Sequence, residues 1–398
     1  MPTGVAPLPV NADSRQMSGN VAIVVNEASF FLSHRLAIAQ GAIREGYGVS
    51  IWCPTSPASA RFHSLGLRHR PMRGFRGKAG VLQELSSIAD LLVLAIRFRP
   101  NLMHLVTSKP ILFGGIIARF LRIPVIVAVS GLGFVFGGDD PQRRIIRSLV
   151  VTMYRFALRN PRSIVIFQND DDRELFLRLG IGSAARSVVI KGSGTDLNGF
   201  NPDRREGGQK TFILPARLLA EKGVRDFVAA ARIVRERGFE ARFILQGDPD
   251  PGNPTAVAAS ELHEWEAEGV IAWNRYTDEI GRALSEADIV VLPSYYREGL
   301  PKTLIDAAAA GRAAITTDWP GCRDAIVVGK TGLLCRPRDP VDLAEKMIWF
   351  LENPDSIISM GRNAREHAER NFDIAMVVMR HLELYRVLLG QNGAGDGT

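Results

Sequence analysis

The chain is poor in cysteine, aromatics and long apolar runs, and each shortage removes a class of protein. Its three cysteines, Cys53, Cys322 and Cys335, are odd in number and far apart in 398 residues. They supply neither a disulfide framework nor a CxxC metal site, and they fit a reducing compartment. Aromatics make up 8% and charged residues 23% against 46% hydrophobic, the balance of a globular chain and not of a disordered or fibrous one. No basic start followed by an apolar stretch is visible; residues 1–18 carry Pro, Asn, Asp and Ser and read as a flexible leader. The most apolar stretch, Ile111 to Gly138, is broken by Arg119, Arg122 and Pro124. The remainder from Ile123 is glycine-rich and falls short of the ~20 residues of a spanning helix. It reads as a buried strand and a loop.

The net charge of +7 hides an asymmetry. Residues 1–200 hold 24 Lys and Arg against 12 Asp and Glu, while the remainder holds 25 against 30. A basic half beside an acidic half suggests different partners for each. Nucleic acid, an anionic membrane surface and a merely solvated face all fit that excess of cations.

Short β-branched runs alternate with amphipathic stretches, the mark of βαβ units. The first series runs from a strand at Val21–Val25 through helix Ser33–Glu45, helix Gly80–Phe98, strand Leu102–Leu105, strand Val125–Val129 and helix Gln142–Arg159 to strand Val188–Ile190. A Gly-, Asn- and Pro-rich junction over Gly192–Pro202 follows, and a second series starts at Lys210–Pro215 with helices expected at Gly223–Arg237, Thr255–Glu268 and Pro301–Ala310. The expected architecture is α/β: two doubly wound Rossmann-like domains facing across a cleft, 19–195 and 196–370. Residues 371–398 are expected to form a helix crossing back to the first domain, then a flexible tail. Ligands in such sheets sit at the carboxyl ends of the strands.

Two familiar nucleotide motifs fail. Gly329-Lys330-Thr331 has Asp324 where a P-loop needs its first glycine, and Gly131-Leu132-Gly133 lacks the third glycine of a dinucleotide fingerprint. The informative stretch is Ser294 to Ala325, SYYREGLPKTLIDAAAAGRAAITTDWPGCRDA. Pro301 stands where a first helical turn tolerates proline, so Glu298 lies beside backbone N–H groups without helical partners. Gly299 lets a ligand approach that backbone, and Asp306 shares a helix side with Lys302. A nucleotide-sugar site fits. So does a plain helix start, with Glu298 answering the dipole and Asp306 solvated.

EGLPKTLIDAAAAG followed by PGCRDA, with ARLLAEKG upstream, resembles family 4 of the retaining glycosyltransferases, which have the GT-B fold. SFFLSHRLAIAQGAIREGYGV, TSKPILFGG, VSGLGFVF and GTDLNGFNP extend the resemblance over nearly the whole chain. It is nearest to the branch that builds polyprenyl-diphosphate-linked glycans on the bacterial cytoplasmic membrane. The family pattern is Glu-x7-Glu, and here it is Glu298-x7-Asp306, one methylene shorter at the second acid. The resemblance implies that Glu298 contacts the transferred sugar's hydroxyls and Asp306 the ribose diol, with Gly247, Gly299, Leu300 and Pro301 around the donor. It makes Arg217 and Lys222 the holders of the diphosphate and implies no metal: fixed cations and helix N–H groups take the leaving group's charge. Asn274 to Thr277 resembles the segment that reads the base. Many relatives carry a histidine where this chain has Ser130-Gly131, so a histidine is missing from the acceptor side, where Ser130, Gly131 and Lys109 are expected. His104, inside a strand, reads as buried, and His34 as a helix-surface residue that could face the cleft.

The function implied is transfer of a hexose or N-acetylhexosamine, with retention, from a UDP-sugar to a lipid-linked saccharide in bacterial surface-glycan synthesis. Such an enzyme is cytoplasmic and peripheral on the inner face of the cell membrane, with no nucleic-acid partner. A UDP-sugar 2-epimerase of the same architecture and a non-catalytic nucleotide-sugar-binding subunit are the alternatives. Two features suggest an anionic membrane surface as a partner. Arg143, Arg144, Arg147, Arg155 and Arg159 interleave with Ile145, Ile146, Leu149 and Tyr154 in one helical stretch, after a loop with Phe134 and Phe136. Arg68, Arg70, Arg73, Arg76 and Lys78 form a basic run expected to be a loop, with Phe75 available to insert.

Overall fold

The computed structural model describes residues 19–74, 81–136, 141–203 and 207–390. The leader 1–18, the tail from 391, and Phe75, Arg76 and Lys78 lie outside the described residues, as do the side chains of Phe134 and Arg143. The chain forms two compact units. One gathers the described chain up to Ser130, the stretch ending at Ile190 and the described residues from Val377 on; the other gathers Gly131 to Phe136 and the described residues of Lys191–Met376.

In the first unit, seven short β-branched runs pair in parallel: β1 (Asn20–Val24), β2 (Gly48–Cys53), β3 (Arg68–Pro71), β4 (Leu102–Val106), β5 (Val125–Ala128), β6 (Ser163–Phe167) and β7 (Ser187–Val189). Their order is β3-β2-β1-β4-β5-β6-β7. The interior strands are buried on both faces, β4 at all five residues, as a helix-covered parallel sheet requires. The connecting helices are α1 (Ala28–His34), α2 (Leu36–Arg44), α3 (Arg61–Ser64), α4 (Val81–Phe98) and α5 (Ser108–Phe120). After a short α6 (Gly133–Phe136), which belongs to the second unit, α7 (Pro141–Ala157) and α8 (Asp170–Arg178) complete the crossovers. Asn169 caps α8, its side chain accepting from the Asp172 amide at 2.8 Å.

Two expectations fail here. The single helix Ser33–Glu45 is two helices, because Arg35 leaves helical geometry at φ −132°. Arg35 is buried there, and burial pushes its guanidinium down to about 10. The supposed basic loop contains β3, hydrogen-bonded at the sheet edge; Arg70 stacks on Phe98 at 4.3 Å and Arg73 is paired with Asp90 at 2.6 Å. An edge strand tolerates Pro71 and outward cations, so RHRP lacks the apolar alternation by which strands are recognised.

The second unit has six parallel strands, β8 (Thr211–Pro215), β9 (Arg242–Gln246), β10 (Ala272–Asn274), β11 (Ile289–Leu292), β12 (Ala313–Thr317) and β13 (Gly332–Cys335), ordered β10-β9-β8-β11-β12-β13. Its helices are α9 (Val224–Glu236), α10 (Ala259–Ala267), α11 (Ile280–Ser285), α12 (Lys302–Ala309), α13 (Pro340–Glu352) and α14 (Pro354–Asn371). The final helix, α15 (Ile374–Leu389), passes into the first unit, where Gly41 leaves room for Val378. The helix expected at Thr255–Glu268 starts only at Ala259, because Thr255 is tied by its amide and hydroxyl to the Asn253 side chain at 3.0 and 2.8 Å.

Candidate active site

In the second sheet the winding reverses between β8 and β11, so the loops leaving their carboxyl ends diverge and open a crevice. Lys222 and Glu298 lie on those two loops. Lys222 ends a tight turn after β8, and the Glu298 carboxylate stands 2.7 Å from its amine, with about 15% of each side chain exposed. Two glycines make the approach possible. At Gly223 (φ +75°) a Cβ would stand 2.3 Å from the Pro293 carbonyl, so only glycine lets the first loop lie against the end of β11. At Gly321 (φ +84°) a Cβ would meet the Gly299 and Glu298 carbonyls at 2.3 and 2.5 Å. The PGC motif thus closes on the backbone of the EG motif.

Backbone and hydroxyl bonds join the two loops. The Glu221 carbonyl accepts from the Tyr295 amide at 3.0 Å. Ser294 Oγ stands 3.1 Å from that carbonyl and 2.9 Å from Glu298 Oε1, with one proton to give to either. Nothing in the sequence pattern assigned Ser294 this part. Behind it Cys322 is wholly buried, and burial, with the Glu298 charge second, pushes its thiol up to about 12, so it is inert packing.

Asp306 is not solvated. It is buried on α12, where its carboxylate accepts from Thr195 Oγ1 at 2.7 Å and pairs with Lys302 Nζ, which itself lies 3.0 Å from Thr195. Thr195 is held from both sides by backbone bonds to Phe372 and Ile374. Its part was invisible in the sequence, 111 residues from Asp306. Pro301 is the N-cap of α12, and Leu300 is core, packed with Leu304 and Ile305.

Arg217 is placed differently. Its side chain is 64% exposed and lies 3.4 Å from Asp250 on the loop after β9, not on Glu298. Gly247 (φ +147°) begins that loop; a Cβ there would meet the Ala216 carbonyl at 2.1 Å, so β8 and β9 end in one tight bundle of loops. Its amide donates to the Asn274 carbonyl at 2.9 Å, which brings the 274–277 segment alongside.

Among the expected acceptor-side residues, Gly131 (φ +118°) forms an antiparallel bridge with Glu298, and the Arg297 carbonyl accepts from Leu132 and Gly133 at 3.1 Å. Ser130 immediately precedes it. Lys109 lies at the start of α5, paired with Glu84 of α4. The first sheet reverses between β1 and β4, and there two polar atoms, Asn26 Oδ1 and Thr107 Oγ1, are buried without a hydrogen-bond partner. Thr107 is also held at φ +70°, an uncommon conformation for a β-branched residue. Asn26 belongs to no motif, and Thr107 opens the TSKPILFGG stretch without any role having been read for it. His104 is buried and bonded to Tyr385 at 2.7 Å, and His34 stacks on Phe30. Among the described residues no group of three His, Cys, Asp or Glu could hold a metal ion.

Residues 33–192 match the model of the glycosyl transferase 4-like domain, and residues 209–353 that of glycosyl transferases group 1. The chain is 28% identical over 287 residues to the N,N'-diacetylbacillosaminyl-diphospho-undecaprenol alpha-1,3-N-acetylgalactosaminyltransferase of Campylobacter jejuni, covering 69% of this chain and 73% of that one. It is 22% identical over 321 residues to the UDP-Gal:alpha-D-GlcNAc-diphosphoundecaprenol alpha-1,3-galactosyltransferase of Escherichia coli, covering 77% and 80%. Among solved structures, Anabaena HepE in complex with UDP and glucose superposes with a TM-score of 0.73 at 17% identity, over 91% of this chain and 98% of that one. At that identity the likeness is one of fold.

Proposed function

The chain belongs to the group 1, family 4-like glycosyltransferases and has their GT-B fold of two parallel-sheet Rossmann-like domains; from that premise we propose that it transfers a hexose or N-acetylhexosamine from a UDP-sugar to a lipid-linked saccharide, with retention, in bacterial surface-glycan synthesis. The observation that carries the reading is the Lys222–Glu298 pair at the reversal between β8 and β11. It puts a cation for a diphosphate and a carboxylate for sugar hydroxyls within one hydrogen bond of each other, beside the start of α12. The two relatives' names, with their undecaprenyl-diphosphate acceptors and one UDP-sugar donor, support the choice of substrates.

In this reading Lys222 takes the charge that develops on the departing phosphate, with Arg217 as an outer cation, and no metal is needed. The bond from the sugar's anomeric carbon to the phosphate breaks as the acceptor oxygen bonds to the same face, and the acceptor's proton passes to the departing phosphate oxygen. Glu298 orients the sugar. Asp306 reaches the ribose diol from a position fixed by Thr195 and Lys302. The enzyme works peripherally at the cytoplasmic face of the membrane; no helix among the described residues is long and apolar enough to cross it.

A panel of nucleotide sugars, each assayed for hydrolysis and for thermal stabilisation of the protein, tests the donor. At a hundredfold excess over Kd the true donor adds about 2.7 kcal/mol of apparent stability. A UDP-sugar is expected to stand out, with and without chelator, and the product of transfer to a polyprenyl-diphosphate saccharide keeps the donor's anomeric configuration. Stabilisation by no UDP-sugar, or an inverted product, sinks the proposal.

A further inference from the structure

The outer layer of the first unit is dressed for something other than water. Helix α4 turns Ser87, Leu91 and Ala95 towards the sheet, yet its opposite side is also apolar: Leu82 (83% exposed), Leu85, Ala89, Val93 and Ile96 follow one another at three- and four-residue steps. A helix apolar on both sides is expected between two apolar media. On α7, Val151, Tyr154 and Ala157 are buried, Ala157 against Gly115 of α5 and Tyr154 against Phe176 of α8. Ile145 (75% exposed), Ile146 and Leu149 are not.

These two faces belong together. Helix α5 packs between α4 and α7, drawn close to α7 because a Cβ on Gly115 would already stand 2.9 Å from that of Ala157. All three helices lead into parallel strands, so their N-terminal turns lie at one end, the carboxyl end of the sheet where ligands bind. Leu82 and Leu85 fall in the first two turns of α4 and Ile145 and Ile146 in the second turn of α7, with Leu149 following at its middle. Half-buried Phe113 and Ile116 of α5 lie between them, and exposed Phe120 extends the strip. Contiguous apolar surface of this kind marks an interaction site.

We propose that this α4–α5–α7 face lies in the interface of an anionic lipid leaflet. The inference rests on the reading of a lipid-linked acceptor and names the surface that brings the protein to it. Charge decides the occupant. Helix α7 contains four arginines and no acid, and α5 has Lys109 and Arg119 and no acid. The two acids of α4 are both answered, Glu84 by Lys109 and Asp90 by Arg73. A second copy of the chain on this face would set arginines against arginines with no carboxylate to meet them, whereas anionic headgroups complement them. Leucine and isoleucine side chains then enter the acyl boundary while the arginines stay at headgroup level.

The test is co-sedimentation with vesicles of phosphatidylglycerol and phosphatidylcholine, against phosphatidylcholine alone. The parent should pellet with the anionic vesicles, less at high salt. Changing Leu82→Ser, Leu85→Ser, Ile145→Ser, Ile146→Ser and Leu149→Ser together should cut the bound fraction at least tenfold. Donor hydrolysis in solution should be unchanged, since all five side chains are exposed. Arg144→Ser with Arg147→Ser should weaken binding and flatten its salt dependence. The three native cysteines are buried, so Ile145→Cys takes an environment-sensitive dye alone, and its emission should shift to the blue on anionic vesicles. A parent that does not pellet, a five-site variant that pellets equally, an unshifted dye, or a dimer that the variant dissolves each overturns the proposal. Loss of vesicle binding with sugar transfer to a short-chain acceptor intact supports the surface. Vesicle binding without hydrolysis of any nucleotide sugar leaves the surface standing and removes the enzymatic reading.

Discussion

The two sheets of this protein have the same winding, and their outer helices are finished in opposite ways. In the second unit α9 and α10 are laced by Arg225–Glu261 at 2.8 Å and Arg232–Glu268 at 2.7 Å, a face completed by ions and water. In the first unit α4, α5 and α7, which follow other strands of the same winding, carry leucine, isoleucine and phenylalanine outward, with arginine but almost no unanswered acid. The charge imbalance between the halves is therefore not a uniform wash. A repeated fold fixes which side chains face the sheet and leaves the other side of each helix free to be adapted to its surroundings.

The same contrast holds at the two winding reversals, and the largest effect on catalysis is expected there. The reversal between β8 and β11 is closed by the Lys222–Glu298 pair, while Arg217 stands outside it. Lys222→Ala should lower donor hydrolysis by about 10- to 150-fold, the equivalent of ~1.5–3 kcal/mol for a charge-assisted contact. Arg217→Ala, at an exposed side chain already beside Asp250, should cost only a few-fold. Equal losses in the two kinetic assays would erase the distinction drawn between them.

Next comes the glycine that closes the PGC loop. Gly321→Ala forces a Cβ onto two carbonyls and should destabilise the second unit by about 2–4 kcal/mol. Gly329→Ala has a similar φ of +72° but open space around it, and should cost about 1–2 kcal/mol of backbone strain alone. Thermal melts compare them, at roughly 2–4 °C per kcal/mol for a unit of this size.

A more gradual effect separates the units by pH. Burial drives the His104 imidazole well below its ordinary range, with His381 and Arg35 adding to it, and burial with Arg35 takes His381 to about 3. Both stay neutral in the fold while the unfolded chain takes up protons below about 6.5. Stability is therefore full above 6.5 and falls as the pH drops, by up to about 1.4 kcal/mol per unit for each histidine. Urea melts between pH 7 and 5, above the carboxylate range, should show the first unit weakening more than the second. His104→Gln with His381→Gln should flatten that slope; an unchanged slope would acquit the pair. The smallest effect is expected at β3: Arg70→Ser with Arg73→Ser should leave vesicle binding within about twofold, because these cations are stacked and paired within the unit.

The residues that could be read from the sequence are those whose role is local. Parallel strands announce themselves as β-branched runs, and the EGLPK segment places Glu298 by its position before a helix. Arg217 and Lys222 share a segment, yet only Lys222 meets Glu298; the turn ending at Gly223 decides that, through a clash that no spacing rule contains. Thr195 and Thr107 stand in GTDLNGFNP and TSKPILFGG, stretches that carry the resemblance, yet their roles, like that of Asn26, come from partners, or their lack, across the fold, which no local pattern shows. The split at Arg35 and the edge strand Arg68–Pro71 were missed for the opposite reason: periodicity ran on through the first, and none marked the second.

Helix α15 gives the chain an order of assembly. Its contacts with the first unit span nearly the whole sequence, the Tyr385 hydroxyl meeting His104 across 281 residues. The second unit, made almost entirely of Lys191–Met376, emerges from the ribosome as one piece and can close on itself at once. The first unit, begun earlier, stays without its last helix until synthesis passes Val377. Until then Gly41 of α2 lacks Val378 and Leu382, and Tyr47 and His104 lack Tyr385; the half of the chain made first is the half completed last.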